Sequence, residues 1–328
     1  AMSAMSKMVI VAYLPGNDPR LSKEIIVLGA HYDHLGHGGH GSLARGSHKI
    51  HFGADDNASG TAVLLELAEA FSILQGLNSR TLVFIAFSGE ELGLLGSQYF
   101  VKHPTFSLKH IVAMINMDMV GRLRENKLQI FGSGTSSVWP AVIGRGESLV
   151  RGFRINLSSK GGFGPSDHTS FYKKKIPVLH FFTGLHKDYH KPSDTLDKIN
   201  AKGAAKIGQL VFQIVWALDE LPYRPDYIYI KPPRRVRHGK GPRPYLGIIP
   251  EYGGDNQGLV ISGVSANSPA EKGGLKGEDR IIQFGSVPIR NIYDLTNALY
   301  RYKPGDKVKI IVVRKGKKRT LTVKLGHR

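Results

Sequence analysis

The sequence predicts an α/β protein in two parts: a mostly parallel central sheet flanked by helices, then a smaller β-rich module. Three observations predict it. Apolar runs that read as unbroken strands alternate with segments of helical periodicity, the pattern of strands buried on both faces. The composition turns Pro- and Arg-rich after Leu221, and short alternating strands follow that break. At 328 residues the chain also exceeds the usual size of one domain.

Val9 to Leu14 and Glu24 to Ala30 are predicted strands, rich in Val, Ile and Leu and separated by Pro15-Gly16-Asn17-Asp18-Pro19. A Gly/His-rich loop from Leu35 to His51 follows. Val63, Leu64, Leu67, Ala68 and Phe71 recur with helical spacing, so a helix is predicted from Ala58 to Leu74. Arg80 to Ser88, Ile111 to Asn116 and Ile176 to Phe182 read as buried strands, Leu95 to His103 as a short helix, and Ala201 to Leu221 as an amphipathic one. The predicted division is a domain over 1–222, a basic Pro-rich linker over 223–242 and a module over 243–328. In the module, strands are expected at Leu259 to Val264, Arg280 to Phe284, Val308 to Arg314 and Arg319 to Leu325, with a helix near Asp294 to Tyr302.

Net charge is +19, and from Arg224 onward 22 Lys and Arg face 8 Asp and Glu, so the basicity belongs to the second part. No module or aromatic interleaving of nucleic-acid-binding type accompanies it, and nucleic acid is not an expected partner. No apolar run approaches the roughly 20 residues of a membrane span. Cysteine is absent, which excludes disulfides and thiolate-bound metal. The compartment is open, with an extracytoplasmic one favoured. The start, Ala1 to Lys7, reads as an expression remnant ahead of a trimmed amino terminus.

Five segments each supply a metal-seeking side chain: Ala30-His31-Tyr32-Asp33-His34, Gly53-Ala54-Asp55-Asp56-Asn57, Ser88-Gly89-Glu90-Glu91-Leu92, Asn116-Met117-Asp118-Met119 and Asp188-Tyr189-His190-Lys191-Pro192. Two imidazoles and three carboxylates suit a pair of zinc ions with one bridging carboxylate. Four of the segments begin where an apolar strand stops, and ligands collect at such strand ends. Asp33 is expected to fix the tautomer of His31. Asp55 is placed to bridge. Of the adjacent pair Glu90 and Glu91, one is free to bind metal while the other accepts a proton, a division suited to hydrolysis. His34, His37, His40, His48 and His51 read as loop residues that line a cleft at most.

In this order the five segments resemble the M28 family of di-zinc aminopeptidases, over about Val9 to Leu221. The resemblance implies a zinc-exopeptidase fold and removal of amino-terminal residues from peptides by two zinc ions, with cobalt or manganese as substitutes. It places His31 and Asp118 on one ion, Glu91 and His190 on the other, Asp55 between them and Glu90 as general base. It also implies a cis bond between Asp55 and Asp56. Several relatives have a tyrosine before the Ser-Asp-His run for the oxyanion, but here Phe163-Gly164-Pro165 precedes Ser166-Asp167-His168, so the oxyanion is left to the metal alone or to another donor, for which His168 is the candidate. A one-zinc glutaminyl cyclase, a carboxypeptidase or dipeptidase, and a catalytically silent peptide-binding scaffold are the competing readings.

Tyr245-Leu246-Gly247-Ile248, Gly263 to Ala270 and Gly274 to Ile281 resemble a PDZ domain. The resemblance implies that Leu246, Gly247 and Ile248 form a loop whose backbone N–H groups receive the carboxyl terminus of a peptide or protein. Glu278 stands where a second glycine is usual.

Overall fold

A computed structural model describes residues 8–39, 41–44, 46–157, 159–231, 244–250, 257–265 and 267–327. Residues 232–243, most of the expected linker, lie outside that set, as does His40. The chain forms two compact units.

The large unit is built on a seven-stranded sheet: β1 Val9–Leu14, β2 Ile25–His31, β3 Thr81–Phe87, β4 Ile111–Met117, β5 Lys127–Phe131, β6 Arg154–Asn156 and β7 Val178–Phe182. Their order is β1-β3-β2-β4-β7-β5-β6. The four central strands, β3, β2, β4 and β7, are parallel, β1 and β5 pair antiparallel to their neighbours, and β6 runs parallel to β5. Side chains alternate across a strand. In β2, Ile26 and Leu28 therefore enter one layer, where Phe71, Ile115, Ile207, Val211 and Ile214 join them. Val27 enters the opposite layer with Val83, Ile85, Phe100 and Phe171. With both faces covered, every residue of β2 and β4 is buried, which is why the sequence reads as continuous apolar runs.

Helices α1 Gly60–Ile73, α2 Leu95–Phe100, α3 Trp139–Leu149, α4 His168–Tyr172 and α5 Ala201–Asp219 complete the unit. The Asn200 side chain accepts a hydrogen bond from Gly203 N at 2.9 Å and caps α5. The far end of α5 meets the buried guanidinium of Arg80, which donates to the carbonyls of Leu218, Asp219, Leu221 and Tyr223 and to Glu24 Oε2. The last turn of a helix leaves unpaired carbonyls and a partial negative charge, so a fixed cation is favourable there. Residues 223–231, expected as hydrated linker, are instead tied to this unit. Ile230 N donates to Tyr172 Oη at 2.7 Å, and Asp226 Oδ1 accepts from Ser136 Oγ at 2.6 Å and Ser137 N at 2.8 Å.

The small unit is antiparallel. β9 Ile248–Pro250, β10 Leu259–Val264, β11 Arg280–Phe284, β13 Lys307–Arg314 and β14 Lys317–Lys324 form one sheet, with β12 Val287–Pro288 paired to β11, and β8 Pro244–Tyr245 pairs with β15 Gly326–His327. Leu246, Ile261, Ile281, Phe284, Ile310 and Val323 fill its core with α6 Pro269–Lys272 and α7 Ile292–Leu299 alongside. Glu278, at the site of the missing glycine, holds φ 70°, and its N–H donates to Ile261 O at 2.7 Å. The left-handed turn is made without glycine, at a cost of order 1 kcal/mol.

Candidate active site

Because β3, β2, β4 and β7 are adjacent and parallel, their carboxyl ends share one edge of the sheet. His31 ends β2, Glu90 and Glu91 follow β3, Asp118 follows β4, and His190 lies in the loop after β7. The turn Ala54–Ser59 precedes α1 and brings in Asp55 and Asp56.

Two sets of donors converge. His31 Nε2 lies 3.3 Å from Asp118 Oδ1 and 3.4 Å from Asp56 Oδ1. His190 Nε2 lies 3.1 Å from Asp56 Oδ2 and 3.1 Å from Glu91 Oε2. Donors about 2.0–2.1 Å from a tetrahedral ion stand about 3.3–3.4 Å from one another; the His31 set has that spacing and the His190 set is about 0.2 Å tighter. Asp56 Oδ2 is buried and has no properly directed hydrogen bond among the described residues despite its 3.1 Å approach to His190. A lone pair facing other donors rather than an N–H is what convergence on a cation produces. Ligand atoms of His31, Asp56 and Asp118 lie within 4.8 Å of one another, as do those of His34, Asp56 and Glu91, a closeness that would allow an ion to be held and that puts His34 beside the second set.

The residue between the two sets is therefore Asp56 and not Asp55. The reason lies in the turn, where Asp56 (φ −109°, ψ 86°) and Asn57 (φ −136°, ψ 41°) leave helical geometry and aim adjacent side chains apart. Asp55 Oδ1 points away, accepting from Gly121 N at 2.7 Å and Ser59 Oγ at 3.0 Å. The cis peptide bond shifts with it, to Asp56-Asn57. Asn57 locks the turn to β4: its Oδ1 accepts from Gly60 N and Met119 N, both at 3.0 Å, and its Nδ2 donates to Met117 O. A Cβ on Gly60 would lie 2.4 Å from Asn57 Oδ1, so only glycine fits.

Asp33 supports the site differently from expectation. His31 Nδ1–H donates to the backbone carbonyl of Asp33 at 3.1 Å, with the carboxylate farther away at 3.6 Å. That carboxylate instead accepts from Glu90 N at 3.1 Å and Glu91 N at 3.3 Å, fixing the backbone of the glutamate pair. Asp194 was missed in the sequence, although it lies four residues after His190. Fully buried, it accepts from Asp55 N at 2.9 Å and Asp56 N at 3.1 Å, and takes Arg122 Nη2 at 3.0 Å on its other oxygen. His190 and Met119, both at φ 54°, are left-handed non-glycine residues, a strain of order 1 kcal/mol each that the surrounding contacts sustain.

His168 is not presented to a substrate. It is fully buried and stacks on His180, with centroids 4.4 Å apart and planes at 11°. Burial depresses it to about 3, so the ring is neutral. It is this enclosure, and not its neutrality, that separates His168 from the expected oxyanion donor, which would face the substrate.

The electrostatics favour cations. Burial alone would lower His190, but Asp56 and Glu91 raise it to about 10. Burial likewise opposes the shift of His31, which Asp118 and Glu90 hold well above its ordinary value. Glu91 falls to about 2 because hydrogen bonds from His190 and His34 outweigh burial. Glu90 goes the other way: burial first, then the charges of Asp118, Asp167 and Glu91, push it well above the usual carboxylate range. Two neighbouring glutamates thus have opposite proton affinities. An open groove of 570 Å³ is lined by His37, His48, Lys49, Ile50, Phe52, Pro192 and Ser193, the last two following His190 closely in the chain, with Ile50 and Phe52 largely exposed.

In the small unit, Leu246 is buried in the core, Gly247 takes φ 82°, and Ile248 opens β9. No helix among the described residues is long and apolar enough to cross a membrane.

Comparison with known proteins agrees with the geometry. Residues 9–215 match Peptidase family M28, and residues 244–325 match the PDZ domain. Aminopeptidase YwaD of Bacillus subtilis is 32% identical over 187 residues, covering 54% of this chain and 40% of that protein. A probable leucine aminopeptidase of Arthroderma benhamiae is 29% identical over 219 residues, 64% of this chain and 57% of that one. The chain thus spans about half the length of the curated relatives it matches. Among solved structures, an aminopeptidase from Aneurinibacillus sp. strain AM-1 superposes with TM-score 0.54 at 29% identity, covering 70% of this chain and 52% of that one. The glutaminyl cyclase of Porphyromonas gingivalis, at TM-score 0.51 and 22% identity, covers 63% of this chain and 76% of its own and shares the fold. With the family matched over most of the chain, and with donors grouped at the strand ends, this protein belongs to Peptidase family M28 and carries a PDZ domain after the peptidase domain.

Proposed function

We propose that the chain removes amino-terminal residues from peptides at a centre of two divalent cations, zinc with cobalt or manganese as substitutes. His31, Asp118 and Asp56 Oδ1 would hold one ion, and His190, Glu91 Oε2 and Asp56 Oδ2 the other. Bound there, the pair would lower the pKa of a shared water from about 15.7 toward about 7 and polarise the scissile carbonyl. The observation that carries this reading is the placement of the two oxygens of Asp56, each against a different histidine–carboxylate pair.

Glu90 is the residue for the proton. It neighbours the donors without belonging to either set, and its raised proton affinity suits a group that takes a proton from water and returns it to the leaving amine. Asp33 holds its backbone in place. Ile50 and Phe52 offer an apolar wall to a substrate side chain in the open groove. In the small unit, Leu246, Gly247 and Ile248 are the proposed receptor for a peptide or protein carboxyl terminus.

The test is metal content by elemental analysis together with release of amino acids from aminoacyl reporter amides. Two equivalents per chain are expected, with activity abolished by a chelator. Glu90→Gln should lower kcat by about 10²–10⁴ while retaining metal. Activity that survives either treatment would sink the reading. A single equivalent with cyclisation of amino-terminal glutamine would favour the cyclase instead.

A further inference from the structure

His34, expected as a loop residue, sits inside the cluster. Its Nδ1 lies 2.9 Å from Glu91 Oε1 and 3.9 Å from Asp56 Oδ2, and its ring packs edge-on against His190 with centroids 5.8 Å apart. The side chain is 9% exposed. The ring has room because residue 53 is glycine: a Cβ there would lie 2.5 Å from His34 Cγ, and the φ of 61° also favours glycine. The two oxygens of Glu91 are thus divided. Oε2 faces His190 at 3.1 Å, and Oε1 faces His34.

We propose that His34 is a positioning residue for Glu91, donating from Nδ1 to Oε1 so that the carboxylate offers only Oε2 to a cation and leaves a coordination position open. This rests on the two-cation reading above and deepens it. A glutamate free to rotate can bind one ion through both oxygens and fill the place a water or substrate carbonyl needs. A hydrogen bond to one oxygen fixes the carboxylate's rotation and makes that oxygen the poorer ligand, as partners behind metal-binding groups generally do by fixing orientation. His34 Nε2 is buried with no hydrogen-bond partner among the described residues, so nothing competes to turn the ring and Nδ1 alone anchors it.

The test is a titration of the metal-free full chain with Co²⁺, followed by absorption and by equilibrium dialysis. The wild-type chain should take up two equivalents. His34→Ala should weaken one of them about 10–100-fold and leave the other unchanged. Asn and Gln separate the hydrogen bond from the bulk of the ring. The amide nitrogen of His34→Asn falls near Nδ1 and should restore binding to within several-fold of wild type. That of His34→Gln falls near Nε2 and should not. Adding His34→Ala to His190→Ala should change little, because the affected ion is already lost, whereas adding it to His31→Ala should lower the remaining affinity. Asn and Gln variants with superimposable curves, or a His34→Ala chain that binds like wild type, would overturn the inference. A wild-type chain that binds one equivalent would instead overturn the two-cation reading, so the two failures are distinguishable.

Discussion

Two regions of the large unit bury charge, and they finish the task differently. At the end of α5, Arg80 is wholly enclosed and spends its donors on Glu24 and four backbone carbonyls, while Asp219 accepts from Ser79 N and Arg80 N. At the strand edge, the ion-pair partners of Asp56, Asp118 and Glu91 are imidazoles, and Asp56 Oδ2 has no directed hydrogen bond among the described residues. The first region closes its own electrostatics with a fixed guanidinium. The second leaves carboxylates balanced by groups that can release their protons, which is the condition for accepting an external cation.

The largest expected effect separates the adjacent aspartates. Asp56→Ala should remove both metal equivalents and bring peptide-amide hydrolysis below detection. Asp55→Ala should retain metal but lose about 1–3 kcal/mol of stability by leaving Gly121 N without its acceptor. Elemental analysis and denaturant unfolding of both variants decide the matter, and the reverse outcome would break the comparison.

Next, Arg80→Met should cost about 3–5 kcal/mol by stranding Glu24 and the helix-end carbonyls. The metal content of the folded fraction should not change. Loss of metal in parallel with stability would show that the two regions are one cooperative device.

The smallest effect concerns acid. His168 titrates near 6.5 when unfolded and about 3 when folded, and burial also holds His180 well below its ordinary value. Their contribution is therefore complete above about pH 6.5 and is lost as pH falls below it, by about 1.4 kcal/mol per pH unit for each histidine until the folded value is reached. Neither His168 nitrogen has a hydrogen-bond partner among the described residues, so His168→Phe keeps the stack without the proton. Melting temperature followed from pH 7.5 to 5 should fall less steeply in that variant. An unaltered slope would count against it.

What the sequence disclosed follows the same division. Strands β2, β3 and β4 were legible within a residue or two because a strand covered on both faces must be apolar throughout, and their ends located His31, Glu90, Glu91 and Asp118. The choice between Asp55 and Asp56 was not legible, since it is made by two non-helical residues in a turn that no periodicity encodes. His34 was hidden for a related reason: it stands in a glycine-rich loop, and its role comes from a contact with a segment 57 residues away. The short strands β5 and β6 and helix α3 also went unread. A three-residue strand and a helix interrupted by Gly144 and Gly146 give little periodic signal.

The chain has no thiol with which to fasten distant parts of itself. On the proposed reading the cations take over that duty, because their donors reach from His31 to His190 and come from five separate stretches of backbone. Ion uptake and folding are then a single equilibrium, in which scarcity of metal loosens the architecture as well as silencing the chemistry.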